Sequence, residues 1–147
     1  MSNAIIVFGS SMGNTKRLTE GVAEGLREGG MEVTIKDVVN TRVEELNEYD
    51  LIVLGCSTWG AGDLQDDFVD FYEKMAGLPS LEEKKAAVFG PGDSDIYPDT
   101  FCDAVDMIED RLKELGANLV VESFKVDGDV EAVMADAKDW GLKMVDG

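Results

Sequence analysis

Ala4-Ile5-Ile6-Val7-Phe8 runs directly into Gly9-Ser10-Ser11-Met12-Gly13-Asn14-Thr15. The first five residues are apolar throughout and too few for a helix, which predicts a strand covered on both faces. The next seven are mostly small or hydroxyl-bearing. From 15 to 27, Leu18, Val22 and Leu26 then fall on one helical face, until Gly29-Gly30 stops the run. A buried strand, a glycine-bearing turn and an amphipathic helix form the opening half of a βαβ unit.

The same alternation continues along the chain. Residues 31–36 alternate like an edge strand, and 51–55, 85–90 and 119–126 predict three further strands. Helical spacing recurs over 65–75, where Phe68, Phe71, Tyr72 and Met75 share a face, with Gly77 and Pro79 following. It recurs again over 100–115, with Val105, Ile108, Leu112 and Leu115 inward and Gly116 at the stop, and over 130–144. Five strands with intervening helices predict an α/β, doubly wound three-layer sandwich in one domain over 1–147. In such sheets the ligand sits beyond the carboxyl ends of the strands. That directs attention to the turns over 9–14, 56–64 and 91–99.

The 147 residues, 44% of them hydrophobic, suffice for one packed core. No signal-peptide pattern and no run of about 20 apolar residues is present, so a cytoplasmic location without membrane attachment is expected. Cys56 and Cys102 are read as thiols outside any disulfide. The chain has no histidine, which removes Ser-His and Cys-His nucleophilic pairs and every His-containing zinc site. Its formal charge of −18 disfavours nucleic acid and anionic lipid and favours basic protein partners.

The turn Gly9-Ser10-Ser11-Met12-Gly13-Asn14-Thr15 can aim backbone N–H groups and hydroxyls at a phosphate resting on a helix N-terminus. A plain βα turn favours the same residue types, so the turn alone does not decide the matter. Two familiar phosphate motifs fail: G-x-G-x-x-G needs glycine at Ser11, and the Walker pattern needs one more residue before a Gly-Lys pair. The second turn, Ser57-Thr58-Trp59-Gly60-Ala61-Gly62-Asp63, sets an indole among residues too small to cover it. The third, Pro91-Gly92-Asp93-Ser94-Asp95-Ile96-Tyr97-Pro98, adds a phenol. Each aromatic alone reads more simply as loop packing. Three such turns at one sheet edge describe a site for a flat, phosphorylated heteroaromatic.

At these residues the chain resembles the flavodoxin family. Ser10-Ser11-Met12-Gly13-Asn14-Thr15 is similar to the family's phosphate signature, hydroxyl-x-Thr-Gly-x-Thr. Cys56-Ser57-Thr58-Trp59-Gly60 with Leu64-Gln65-Asp66-Asp67-Phe68 resembles its second loop and following helix. Gly92-Asp93-Ser94 through Tyr97, with Phe101-Cys102-Asp103-Ala104-Val105, resembles the third.

The resemblance implies strand order 2-1-3-4-5 and one non-covalent FMN. It implies that residues 10–15 bind the phosphate, that Trp59 and Tyr97 flank the isoalloxazine, and that backbone around Asp93 and Cys102 meets the pyrimidine end, with Pro91, Gly92 and Phe101 also among the cofactor-binding residues. The Gly60 carbonyl, within Ser57-Thr58-Trp59-Gly60-Ala61-Gly62, would turn toward flavin N5 when that atom is protonated. The implied role is a low-potential one-electron carrier, not an enzyme, cycling mainly between semiquinone and hydroquinone. Its expected partners are redox proteins with basic docking faces, of reductase, oxidoreductase, hydrogenase or cytochrome type, and its expected state is a monomer.

Met12 stands where the family usually has threonine, removing one hydroxyl contact of about 1 kcal/mol. The third loop is spaced like that of the long-chain branch, yet no extra segment of about 20 residues interrupts the last strand, which assigns the chain to the short-chain branch. Rival readings are an FMN-dependent reductase, a maturase-like flavodoxin relative, and, more distantly, a receiver-type signalling domain. The last lacks its acidic pair after Phe8-Gly9.

Overall fold

The computed structural model describes residues 3–9, 14–56, 58–59, 63–64, 66–78, 80–82, 84–92, 103–127 and 130–146. β1 (Asn3–Gly9) leads to α1 (Asn14–Glu28) and β2 (Glu32–Asp37). Two 3-10 segments, Val38–Asn40 and Val43–Glu48, then carry the chain to β3 (Leu51–Cys56). A short hairpin of β4 (Thr58–Trp59) and β5 (Asp63–Leu64) precedes α2 (Asp66–Met75) and β6 (Lys85–Gly92). There follow α3 (Asp103–Glu114), β7 (Asn118–Leu119), β8 (Phe124–Asp127), a 3-10 turn at Glu131–Val133 and α4 (Met134–Asp146).

The main sheet is parallel throughout, in the order β2-β1-β3-β6, with β7 and β8 both paired to β6. This is the 2-1-3-4-5 arrangement with its fifth position shared. The single strand expected over 119–126 is therefore corrected to two. Leu119 lies opposite Ala86 but Phe124 lies opposite Phe89, so the outer strand carries two residues more than its partner between these pairs. The surplus bulges out of the ladder. Its polar groups find other elements instead: the Glu122 carbonyl accepts from Trp140 Nε1 at 2.8 Å, and Ser123 donates to Glu109 on α3.

Strand alternation distributes the core between two faces. Ala4, Ile6, Leu51, Val53, Ala87 and Phe89 face α1 and α4, which contribute Leu18, Val22, Leu26, Ala137, Trp140 and Met144. Ile5, Val7, Ile52, Leu54, Ala86 and Val88 face α2 and α3, which contribute Phe68, Phe71, Met75, Val105, Ile108 and Leu112. α1 and α4 approach so closely that a Cβ on Gly25 would stand 2.1 Å from the Lys138 carbonyl oxygen, and one on Gly141 2.5 Å from that of Val22. Contact at this range needs the small residues that α1 and α4 carry. α1 ends in a left-handed residue, Gly30 (φ 95°), with Met31 N–H donating to Leu26 O and Gly30 N–H to Arg27 O. This paired closure satisfies carbonyls that the helix end would otherwise strand.

The edge strand is tied down by Lys36, which donates to Glu45 on the second 3-10 segment. Hydrogen bonding from Lys36, and then from the Arg42 N–H, holds the Glu45 carboxyl below the usual carboxylate range. A group with a depressed folded-state pKa stabilises the fold above its unfolded value, and that contribution disappears as pH falls through the folded one. The urea midpoint of the native chain should therefore exceed that of Glu45→Gln at pH 6 and converge on it below about pH 4. A constant gap over that range would show that the pair does not titrate with folding.

Candidate functional site

β1, β3 and β6 are neighbours in the sheet, and their carboxyl ends lie together: Gly9 is opposite Cys56, and Gly55 is opposite Phe89. From β1 the chain turns back to build β2 on one side, whereas from β3 it continues to β6 on the other. The gap between the two departures is the switch point where open α/β sheets bind ligands. Gly90 permits this convergence, since a Cβ there would lie 2.1 Å from the Cys56 carbonyl oxygen.

β6 runs on to Gly92, with Pro91 opposite Val126 and Gly92 opposite Asp127. Pro91 and Gly92, expected in the third turn, thus belong to the strand. The ladder with β3 ends at the Gly55–Phe89 pair, so Pro91 stands where pairing is one-sided and a missing N–H is tolerated. The second turn includes a hairpin, with Thr58 opposite Leu64 and Trp59 opposite Asp63. α3 packs against both strands of this hairpin.

Thr15 is the most informative side chain of the edge. It sits in the first turn of α1, is 1% exposed, and its Oγ1 has no hydrogen-bond partner among the described residues. Its carbonyl is occupied, accepting from Thr19 Oγ1 at 2.9 Å. A buried hydroxyl without a partner costs about 1–3 kcal/mol, so the position suits a ligand that completes it. Helix N-termini favour acidic residues, yet the first turn of α1 has none, in a chain of charge −18. Lys16 and Arg17 stand there instead, Arg17 reaching Glu131 at 2.8 Å and Glu20 at 3.0 Å. Buried hydroxyl, helix dipole and a first turn without acidic residues together suit an oxyanion such as a phosphate.

Of the residues nominated from sequence, the structure brings Thr15, Pro91 and the backbones of Asn14, Thr58, Trp59 and Gly92 to this edge. Ser10, Ser11, Met12, Gly13, Ser57, Gly60, Ala61, Gly62, Asp93, Tyr97, Phe101 and Cys102 lie outside the described residues. Cys56 is fully buried. Sequence reasoning missed Gly55 and Gly90. Glycines at strand ends are their only written signal. No helix among the described residues is long and apolar enough to cross a membrane.

The flavodoxin family model matches residues 6–140. A flavodoxin of Maridesulfovibrio salexigens is 42% identical over 149 residues, covering 99% of each chain. Oxidised Flavodoxin 1 from Bacillus cereus superposes with a TM-score of 0.90 at 36% identity, over 99% of this chain and 98% of that one. A Fusobacterium nucleatum flavodoxin bound to flavin mononucleotide shares the fold with a TM-score of 0.83 at 12% identity, over 99% of this chain and 98% of that one. With that breadth of match and a fitting edge, the chain belongs to the flavodoxin family, electron-transfer proteins that use FMN and are not enzymes.

Proposed function

We propose that this chain forms one domain holding a single FMN at the carboxyl edge of β1, β3 and β6, and that it shuttles electrons to redox proteins with basic docking faces. In this assignment Ser10, Ser11, Gly13, Asn14 and Thr15 hold the phosphate, with Met12 contributing backbone only. Trp59 and Tyr97 flank the ring. Ser57, Thr58, Gly60, Ala61 and Gly62 form one side of the slot, and Pro91, Gly92, Asp93, Phe101 and Cys102 the other. The observation that carries the assignment is the buried Thr15 hydroxyl, partnerless among the described residues at an acid-free helix start.

FMN, when bound, exchanges electrons one at a time, and the protein's part is to bind it, orient it and set the field around it. That field is negative. Residues 43–73 and 86–110, which include both aromatic turns, contain no lysine or arginine. Carboxylates near a ring that gains electrons lower its potential, since like charge in a medium of low dielectric is costly. The same surface attracts cationic partner faces and repels acidic ones. A monomer in the cytoplasm is the form in which we expect it to work.

Protein purified without added flavin should be yellow and release close to one equivalent of FMN on denaturation. Apoprotein titrated with FMN should quench its fluorescence stoichiometrically. Colourless protein that leaves added FMN fully fluorescent would refute the assignment.

A further inference from the structure

We propose that Arg111 is a positioning residue: from α3 it caps the far end of α2 and so clamps the β4–β5 hairpin that bears Trp59. The inference rests on the placement of the flavin given above, though its structural part does not.

The last turn of α2 is wound tightly. Ala76, Gly77 and Leu78 N–H groups donate to the carbonyls of Glu73, Lys74 and Met75, each three residues back. This shift leaves the Tyr72 carbonyl without the helical donor it would have had in Ala76. Arg111 supplies the replacement, Nη1 donating to Tyr72 O at 3.3 Å. Its guanidinium also stacks on the ring of the same residue, with Cζ 4.2 Å from the centroid. A cation at a helix C-terminus is favoured by the helix dipole, and cation–π contact adds to it. The side chain is only 16% exposed, and Glu114 lies 3.6 Å from its Nε, beyond hydrogen-bonding reach. A guanidinium that is largely desolvated for one carbonyl and one ring is committed to α2.

Connectivity turns that bond into a clamp. α2 begins at Asp66, two residues after the hairpin ends at Leu64, and α3 packs against the hairpin. The hairpin thus packs on α3 and leads directly into α2, while Arg111 fixes the distal end of α2 to the same α3. Freed of Arg111, α2 can shift lengthwise and carry the hairpin with it.

The test compares Arg111→Met, which keeps an apolar stem, with Arg111→Lys, which keeps a cation able to donate to Tyr72 O, and with Tyr72→Phe, which keeps both ring and carbonyl. In the apoprotein, amide exchange of Thr58, Trp59, Asp63 and Leu64 should quicken in Arg111→Met, whereas that of Ile5, Ile6 and Val7 should not. The FMN dissociation constant should rise roughly fivefold, equivalent to about 1 kcal/mol, with an altered circular dichroism of the bound flavin. Arg111→Lys should recover part of each change, and Tyr72→Phe should match the native chain. A fall in the urea midpoint of Arg111→Met with unchanged hairpin exchange and unchanged FMN affinity would overturn the clamp. If the native chain took up no FMN, the flavin placement would fail, while hairpin exchange would still decide for or against the clamp.

Discussion

Phe89→Ala should lower the free energy of unfolding by about 4 kcal/mol, read as a fall in urea midpoint at constant slope. Phe89 is fully buried on β6, on the face that meets α4. Its ring meets Trp140 edge-on, with centroids 5.9 Å apart at 68°, and Trp140 in turn stacks on Phe124 at 5.6 Å. Truncation removes the base of that aromatic column and leaves a hole that the strands cannot close. The ring also leans across its ladder partner Gly55, where a Cβ would come within 2.3 Å of Phe89 Cζ. Gly55→Ala should therefore destabilise too, by about 1–3 kcal/mol through overpacking.

The two changes should not add. With the ring gone, the extra methyl at Gly55 has room, so the double variant should be more stable than the sum of the singles by about 1 kcal/mol or more. Strict additivity would mean that the ring does not rest on Gly55. The pair matters for function because Gly55 immediately precedes Cys56, where β3 delivers the chain into the second turn.

How far such features can be read from sequence depends on whether they are periodic. α1, α2 and α3 were legible because Leu18, Val22 and Leu26, or Val105, Ile108 and Leu112, repeat at the helical interval and are in fact buried. The helix stops were legible at Gly30 and Gly116, both with positive φ. The fifth strand was legible in its place but not in its division. Its apolar run continues through Val120 and Val121, and only the offset of two residues between its pairings with β6 breaks it, a property of two segments and not of one. The β4–β5 hairpin, with two residues per strand, is too short for any alternation to show. The 3-10 segments after β2 likewise have no period to read.

The site divides along the same line. Thr15 could be nominated from its motif, but its burial follows from how α1 docks on the sheet. Arg111 could not be nominated at all. Arg111, one of two cations among the acids of Asp103–Glu114, reads as part of a solvated face, and its purpose becomes visible only beside the Tyr72 carbonyl of another helix.

Thr15→Val should separate two quantities that most substitutions move together. Valine keeps the branched shape and a similar helical propensity, and removes only the hydroxyl. That hydroxyl is buried and partnerless among the described residues, so its removal from the apoprotein should relieve a desolvation cost and raise stability by about 1 kcal/mol. The bond from Thr19 to the Thr15 carbonyl is untouched. In the proposed FMN complex the same hydroxyl would donate to a phosphate oxygen, a charge-assisted bond of about 1.5–3 kcal/mol, and its loss should weaken FMN binding roughly 10- to 100-fold. Urea titration of the apoprotein measures the first effect and flavin fluorescence titration the second. Thr15→Ser, retaining the donor, should bind FMN nearly as the native chain does. Were Thr15→Val to bind FMN with native affinity, the phosphate would not rest at the start of α1. If it instead destabilised the apoprotein, the hydroxyl would already have a partner there and could not be waiting for a ligand.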